Sequence, residues 1–255
     1  MDSLCLSLTG ISNDSVKFDR YLDLGIAWQD ENPDSALYYH LKAKELAEKM
    51  KSNLLKGEAM RHLGWDYFAA GEYNQAIKIL EEIFPIVDNL LEVKAVEYKR
   101  VKRLQAVAMG SLGNIFLSKG DYNKALDYYL KSMRINEEIS NFDHLSVNLS
   151  NIGLIYSDLG DYGKALDYYR RAIKITRQTG NRAQEANCLT NMGLVYREQE
   201  NYPLALEYYF NSLAIDIELN NKRGLGDEYG NIGLVYSDLG NLMQERCACN
   251  NDSGN

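Results

Sequence analysis

Residues 151–169 read NIGLIYSDLGDYGKALDYY, and residues 111–129 read SLGNIFLSKGDYNKALDYY. The same sentence returns at 191–209 as NMGLVYREQENYPLALEYY, and its opening returns at 231–240 as NIGLVYSDLG. The repeat glycine stands at Gly113, Gly153, Gly193 and Gly233, a step of 40 residues. A fixed period of this size is the signature of a solenoid, in which a unit that cannot bury its own apolar face stacks on copies of itself.

Each unit reads as two antiparallel helices. Leu145, Leu149, Ile152, Tyr156 and Leu159 fall three and four apart, which makes one face of a first helix. Gly160 follows as a stop, because glycine accepts the left-handed backbone just past a helix end. Ala165, Tyr168, Tyr169, Ala172 and Ile173 then mark a second helix. The repeat glycine lies inside the first helix, where it costs about 1 kcal/mol against alanine. Its recurrence predicts a close helix crossing, with the small Ala76, Ala125, Ala165 and Ala205 opposite and the aromatic rings filling the spaces between units.

Working outward, Gly64 heads an earlier copy with Tyr73 and Ala76, and Gly25 a more disguised one, in which Pro33 or Asp34 opens the second helix. The step from Gly64 to Gly113 is 49, so about nine residues are inserted. Pro85 should kink or end the helix in which it lies. The insertion is expected to lengthen the following helix at its N-terminus by about 14 Å at 1.5 Å per residue. The resulting organisation is an N-terminal extension over 1–14 and an array over 15–240. Its units are expected at about 15–52, 53–92, 93–142, 143–181 and 182–222, with a half unit at 223–240. A polar, disordered tail should follow over 241–255.

The chain has 255 residues, is 45% hydrophobic and 25% charged, and contains three prolines, as suits a folded helical protein. Its net charge of −8 argues against nonspecific nucleic-acid binding. No apolar run reaches the roughly 18 residues that a membrane span needs, and residues 1–14 have neither the basic start nor the apolar core of a signal peptide. A soluble, cytoplasmic protein is therefore favoured, with an extracytoplasmic place open to a sensor fragment. Cys5, Cys188, Cys247 and Cys249 form no disulfide framework. No cofactor and no metal are expected: His40, His62 and His144 lie in different units, and Cys247 with Cys249 supplies only two ligands. No nucleophile–base pair, phosphate loop or carboxylate pair stands out, so no catalytic residue is assigned and an enzyme is not expected. Lys99, Arg100, Lys102 and Arg103 form a basic cluster on the inserted segment and read as a solvated helix face, with a docking patch for an acidic partner or nucleic acid as the alternative.

The pattern of Gly153, Tyr156, Gly160, Tyr162, Ala165 and Tyr169 resembles the tetratricopeptide repeat family, whose usual unit has about 34 residues. Six extra residues add nearly a turn to each helix, as in kinesin light chains, Pins-type polarity scaffolds and many bacterial signalling proteins. The resemblance implies an all-α, right-handed superhelical solenoid, with the first helices lining a concave groove that binds a peptide or helix of a protein partner. In the kinesin light chain type, an asparagine two residues before the repeat glycine contacts the bound backbone. Asn151, Asn191 and Asn231 stand there, and an amide can donate and accept to an extended chain at once. Asp158, Glu198 and Asp238 recur at the ends of the same helices and would give the groove an acidic edge. The basic clamp for a C-terminal carboxylate is not evident, since Arg61 and Arg197 are isolated. A second resemblance, through Asn32-Pro33-Asp34-Ser35-Ala36-Leu37, is to the sensory arrays of bacterial histidine kinases and transcription regulators. It implies a regulatory fragment lacking its output domain. Finally, Ile232, Leu234, Val235 and Tyr236 nearly copy the internal Ile152, Leu154, Ile155 and Tyr156. That predicts an apolar face open to self-association.

Overall fold

The computed structural model describes residues 13–93 and 97–252, with side chains described up to residue 240. The residues 1–12 of the expected N-terminal extension lie outside it. The described chain is helical without strands. In order it forms α1 (Asp14–Trp28), α2 (Pro33–Lys49), α3 (Asn53–Ala69), α4 (Tyr73–Glu81), α5 (Ile83–Glu92), α6 (Tyr98–Ser118), α7 (Tyr122–Ile139), α8 (Phe142–Asp158), α9 (Tyr162–Thr179), α10 (Arg182–Glu198), α11 (Tyr202–Glu218) and α12 (Lys222–Asp252). With α4 and α5 counted as one broken helix, these are the eleven helices of five pairs and a half. No described helix is long and apolar enough to cross a membrane.

The turns show why the helices begin and end where they do. Gly71, Gly120 and Gly160 close first helices with φ of 76°, 74° and 77°, the left-handed backbone that glycine takes without a Cβ penalty. The next residue caps the second helix: Asp121 and Asp161 accept the backbone N–H groups of Lys124 and Lys164, each at 3.2 Å. Asn201 caps α11 in the same way at 3.4 Å, after Glu200 has taken the left-handed turn at φ 57°. Pro33 occupies the first turn of α2 behind the Asn32 cap, where its missing N–H costs nothing.

The chain divides into two compact units, Met1–Asn141 and Phe142–Asn255. In the first, Phe18 packs with Ala43, Leu46, Ala47 and Ala59. A larger core gathers Met60, Leu80, Ile83, Val87, Leu104, Leu112 and Ile115. In the second, Ala205, Tyr209 and Leu213 of α11 bury Ile232 and Val235 of α12.

Several sequence expectations differ from the structure. The residue facing each repeat glycine is not the alanine but a larger side chain one turn later. A Cβ on Gly113, Gly153 or Gly193 would lie 2.6, 2.7 or 2.5 Å from the ring of Tyr129, Tyr169 or Tyr209. Ala76, Ala125, Ala165 and Ala205 are all fully buried, but beside that crossing. Gly233 meets nothing within 4 Å, so the close crossing fails there. The insertion does not lengthen one helix alone: α6 has 21 residues against 17 in α8, and α4 with α5 spans residues 73–92, slightly longer than the 18-residue α9. The α4–α5 helix breaks at Glu82, three residues before Pro85, where the proline ring would otherwise strike the preceding turn. α12 runs on through Gly240 to Asp252, over part of the segment expected as a tail.

Candidate partner-binding face

Three successive first helices, α8, α10 and α12, present the same stripe. Positions four, three and four residues apart give Val147, Asn151, Leu154 and Asp158 on α8. They give Asn187, Asn191, Leu194 and Glu198 on α10, and Asp227, Asn231, Leu234 and Asp238 on α12. That spacing puts each set on one helix face. The stripe is the part of each helix left over by packing. Ile152, Gly153 and Ile155 are buried beside it, whereas Asn151, Asn191 and Asn231 are half-buried, and Asp158 and Glu198 are exposed.

Bonds between neighbouring first helices hold the stripe in register. Asn191 donates its amide to Ser150 Oγ at 3.4 Å, and Thr190 bonds Glu228, a carboxylate that Asn231 also reaches. Arg197 Nε donates to Asp238 Oδ2 at 2.8 Å, and this pairing raises its pKa. So Arg197 is not isolated, and Asp238 is partly neutralised, which leaves Asp158 and Glu198 as the open part of the acidic edge. Asn151 has an interaction partner within the structure as well.

Beneath the stripe lies a polar seam that the sequence reading did not find. Asn148, Cys188 and Glu228 occupy one column and are 5%, 0% and 1% exposed. Burial pushes the Cys188 thiol up to about 11 and raises the Glu228 carboxyl, one oxygen of which has no partner. The signal was present, because the column lies three residues before the asparagines, but it changes residue type in each unit.

The residues Leu154, Leu194 and Leu234 were also missed as site members. Leu234 is 49% exposed. Together with the asparagines they make a row of amides flanked by apolar side chains. Chemically, the face can pair with peptide groups and seat aliphatic side chains. Among the described residues there is no group of three or more His, Cys, Asp or Glu that could hold a metal.

Several of the other sequence candidates are spent on internal contacts. Arg100 grips Glu58 through two bonds of 2.7 and 2.8 Å, and Lys102 lies 3.5 Å from Glu138. His40 and His62 stack with centroids 4.9 Å apart, and His40 Nδ1 lies 2.5 Å from Asp66 Oδ2.

A family model described as tetratricopeptide repeat matches residues 104–178 and again 143–218, and a second model with the same description matches 58–84. Outer dynein arm-docking complex subunit 4 of Danio rerio is 29% identical over 119 residues, 47% of this chain and 21% of that protein. The match therefore spans about a fifth of that relative's length. Among solved structures, BtubC from P. vanneervenii superposes with a TM-score of 0.67 at 19% identity, covering 86% of this chain and 87% of its own. A Rap protein complexed with competence and sporulation factor superposes at 0.73 and 16% identity, covering 96% and 68%. Those two likenesses concern the fold. With the repeat models spanning more than half of its length, the chain belongs to the tetratricopeptide repeat family.

Proposed function

We propose that this chain is a non-catalytic protein-interaction scaffold whose stripe on α8, α10 and α12 binds an extended peptide segment of a partner protein. The observation that carries the reading is the identical placement of Asn151, Asn191 and Asn231 on three successive helices, each half-buried beside a leucine. The long 3.4 Å bond of Asn191 is one that a ligand's backbone could replace at small cost. The Rap protein complexed with competence and sporulation factor supports the reading through its shared fold. The same likeness favours a second reading, a sensory array whose occupancy biases an output module in a larger signalling protein. Both readings use one site.

The test starts from a pulldown with the purified chain and identification of the retained partner by mass spectrometry. Changing Asn151, Asn191 and Asn231 together to alanine should weaken that partner's binding by about a hundredfold, at roughly 1 kcal/mol for each bond. The far-UV circular dichroism should not change. Unchanged binding would make the row of amides an internal feature of the array. A contact with a second copy of the chain is supported by Tyr229, Leu234 and Tyr236, which are 61%, 49% and 57% exposed on α12. Val235 and Ile232 are buried and take no part in that face. Sedimentation of wild type and Leu234→Glu at rising concentration tests it, since a strict monomer in both would remove the contact.

A further inference from the structure

We propose a second binding site in the Phe142–Asn255 unit, a groove formed by α9, α10 and α11 that takes an acidic peptide segment through one large apolar side chain. The groove encloses about 410 Å³. Its floor is Ile173, Leu189 and Met192, all buried, and Tyr208 forms a half-buried wall. Its rim is Arg170, Lys174 and Arg177, which fall at successive turns along one face of α9 and are all exposed. It lies on a different set of side chains from the asparagine stripe and does not depend on it.

The rim is not a by-product of the repeat. The same three places hold Phe210, Ala214 and Ile217 on α11, and Leu130, Arg134 and Glu137 on α7. Three cations in a row are thus particular to α9, in a chain whose net charge is −8. Their charge is only partly met from within. Arg170 bonds Asp167 at 3.0 Å. Arg177 Nε lies 2.7 Å from Glu185 Oε1, a buried carboxylate that also holds Arg182, which in turn pairs with Glu218 at 3.1 Å. Lys174 has no ion pair among the described residues.

An apolar floor under a cationic rim selects its occupant. A free phosphate or a polyanion would satisfy the rim and leave the floor wet. A neutral apolar segment would fill the floor and gain nothing from the rim. A leucine, phenylalanine or tryptophan flanked by carboxylates uses both, and the cations would also speed its encounter.

The experiment uses the full chain against immobilised short peptides. A central leucine, phenylalanine, tryptophan or serine is flanked on both sides by glutamate, serine or lysine. Retention is expected on the glutamate-flanked apolar peptides alone. Arg170→Glu combined with Lys174→Glu, both at exposed positions, should lower affinity for the best peptide at least about tenfold in an anisotropy titration. The melting point should stay unchanged. Met192→Gln, which alters the floor, should weaken apolar peptides and leave the weak background of the serine-centred ones alone. The triple asparagine variant should bind as wild type does. The proposal is overturned if no glutamate-flanked apolar peptide is retained, or if a serine centre serves as well. It is overturned too if the charge reversal changes nothing, if a single-stranded oligonucleotide or an anionic vesicle outcompetes the peptide, or if the asparagine variant abolishes binding. That last result would move the peptide to the stripe on the first helices.

Discussion

The two halves of the array solve one packing problem in different ways. In Phe142–Asn255 two pairs repeat one arrangement: Tyr169 covers Gly153 and Tyr209 covers Gly193, with ring atoms at nearly the same distances. In Met1–Asn141 only the last pair does this, with Tyr129 over Gly113. Leu80 takes the place over Gly64, and His40 the place over Gly25. The histidine brings a polar atom into a site built for a ring. The chain answers by placing Asp66 where later units carry Ile115, Ile155 and Val195, and Gln29 then donates to that carboxylate at 3.1 Å. A glycine in the first helix thus demands a large flat or branched neighbour but not a particular one. Replacing the tyrosine by histidine comes with a further change within reach of it, the Asp66 carboxylate.

That difference predicts the largest effect. Asp66→Ala leaves His40 buried with neither ring nitrogen bonded, since Nε2 already lacks a partner. The cost should be about 3–5 kcal/mol, read as a lower midpoint in a denaturant melt. In the second half the matching position holds the buried Val195, and Val195→Ala should cost about 1–2 kcal/mol, an ordinary loss of buried methyl groups. Equal losses at the two positions would show that the histidine knot adds nothing.

Next comes the glycine itself. Gly153→Leu forces a side chain into a ring whose nearest atom would stand 2.7 Å from the new Cβ, and about 3 kcal/mol should be lost. Gly153→Ala also meets the Tyr169 ring. Its gain in helix propensity should be outweighed, for a net loss near 1 kcal/mol. A melt unmoved by either change would place the ring elsewhere in solution.

Much of this was legible beforehand. The period, the pairing of helices, the glycine stops and the aspartate caps are local rules that act within a few residues, and Gly160 followed by Asp161 shows both in one step. The asparagine column was legible as a column. What could not be read were contacts chosen by partners far along the chain. That Tyr169, and not Ala165, lies over Gly153 depends on how the second helix is rotated. The bond of Arg197 to Asp238 spans 41 positions. The break at Glu82 was assigned to Pro85 in kind but not in place.

The halves should also differ in their response to pH. Burial, with the charge of Arg61 beside it, drives the His62 pKa down to about 2. The unfolded chain takes up that proton below about 6.5 and the folded chain refuses it, so the first half loses stability as pH falls from there, by at most about 1.4 kcal/mol per unit. Glu228 in the second half has its pKa raised by burial. Its contribution is fully present below its unfolded pKa and is lost as pH rises through the folded one. Glu228→Gln should therefore raise the midpoint at neutral pH and leave it nearly unchanged near about pH 4. His62→Asn should flatten only the acid limb. Melts of both variants across the range check the assignment, which fails if each variant moves the opposite limb.

The smallest effect is the most informative about α12. Gly233 keeps the repeat position, but a Cβ there would meet nothing within 4 Å, whereas its three predecessors would each meet a tyrosine. With that face open, Gly233→Ala removes only the entropic penalty of a helical glycine, and the protein should gain up to about 1 kcal/mol. With the face covered as in the other units, by a second copy of the chain, the same methyl group would collide and the protein should lose stability instead. The sign of a small shift in melting point thus separates the two states, and its dependence on protein concentration says whether a second copy is responsible. A gain that stays constant from dilute to concentrated solution means that α12 stands uncovered. A loss that grows with concentration means that the unit completes itself in another molecule.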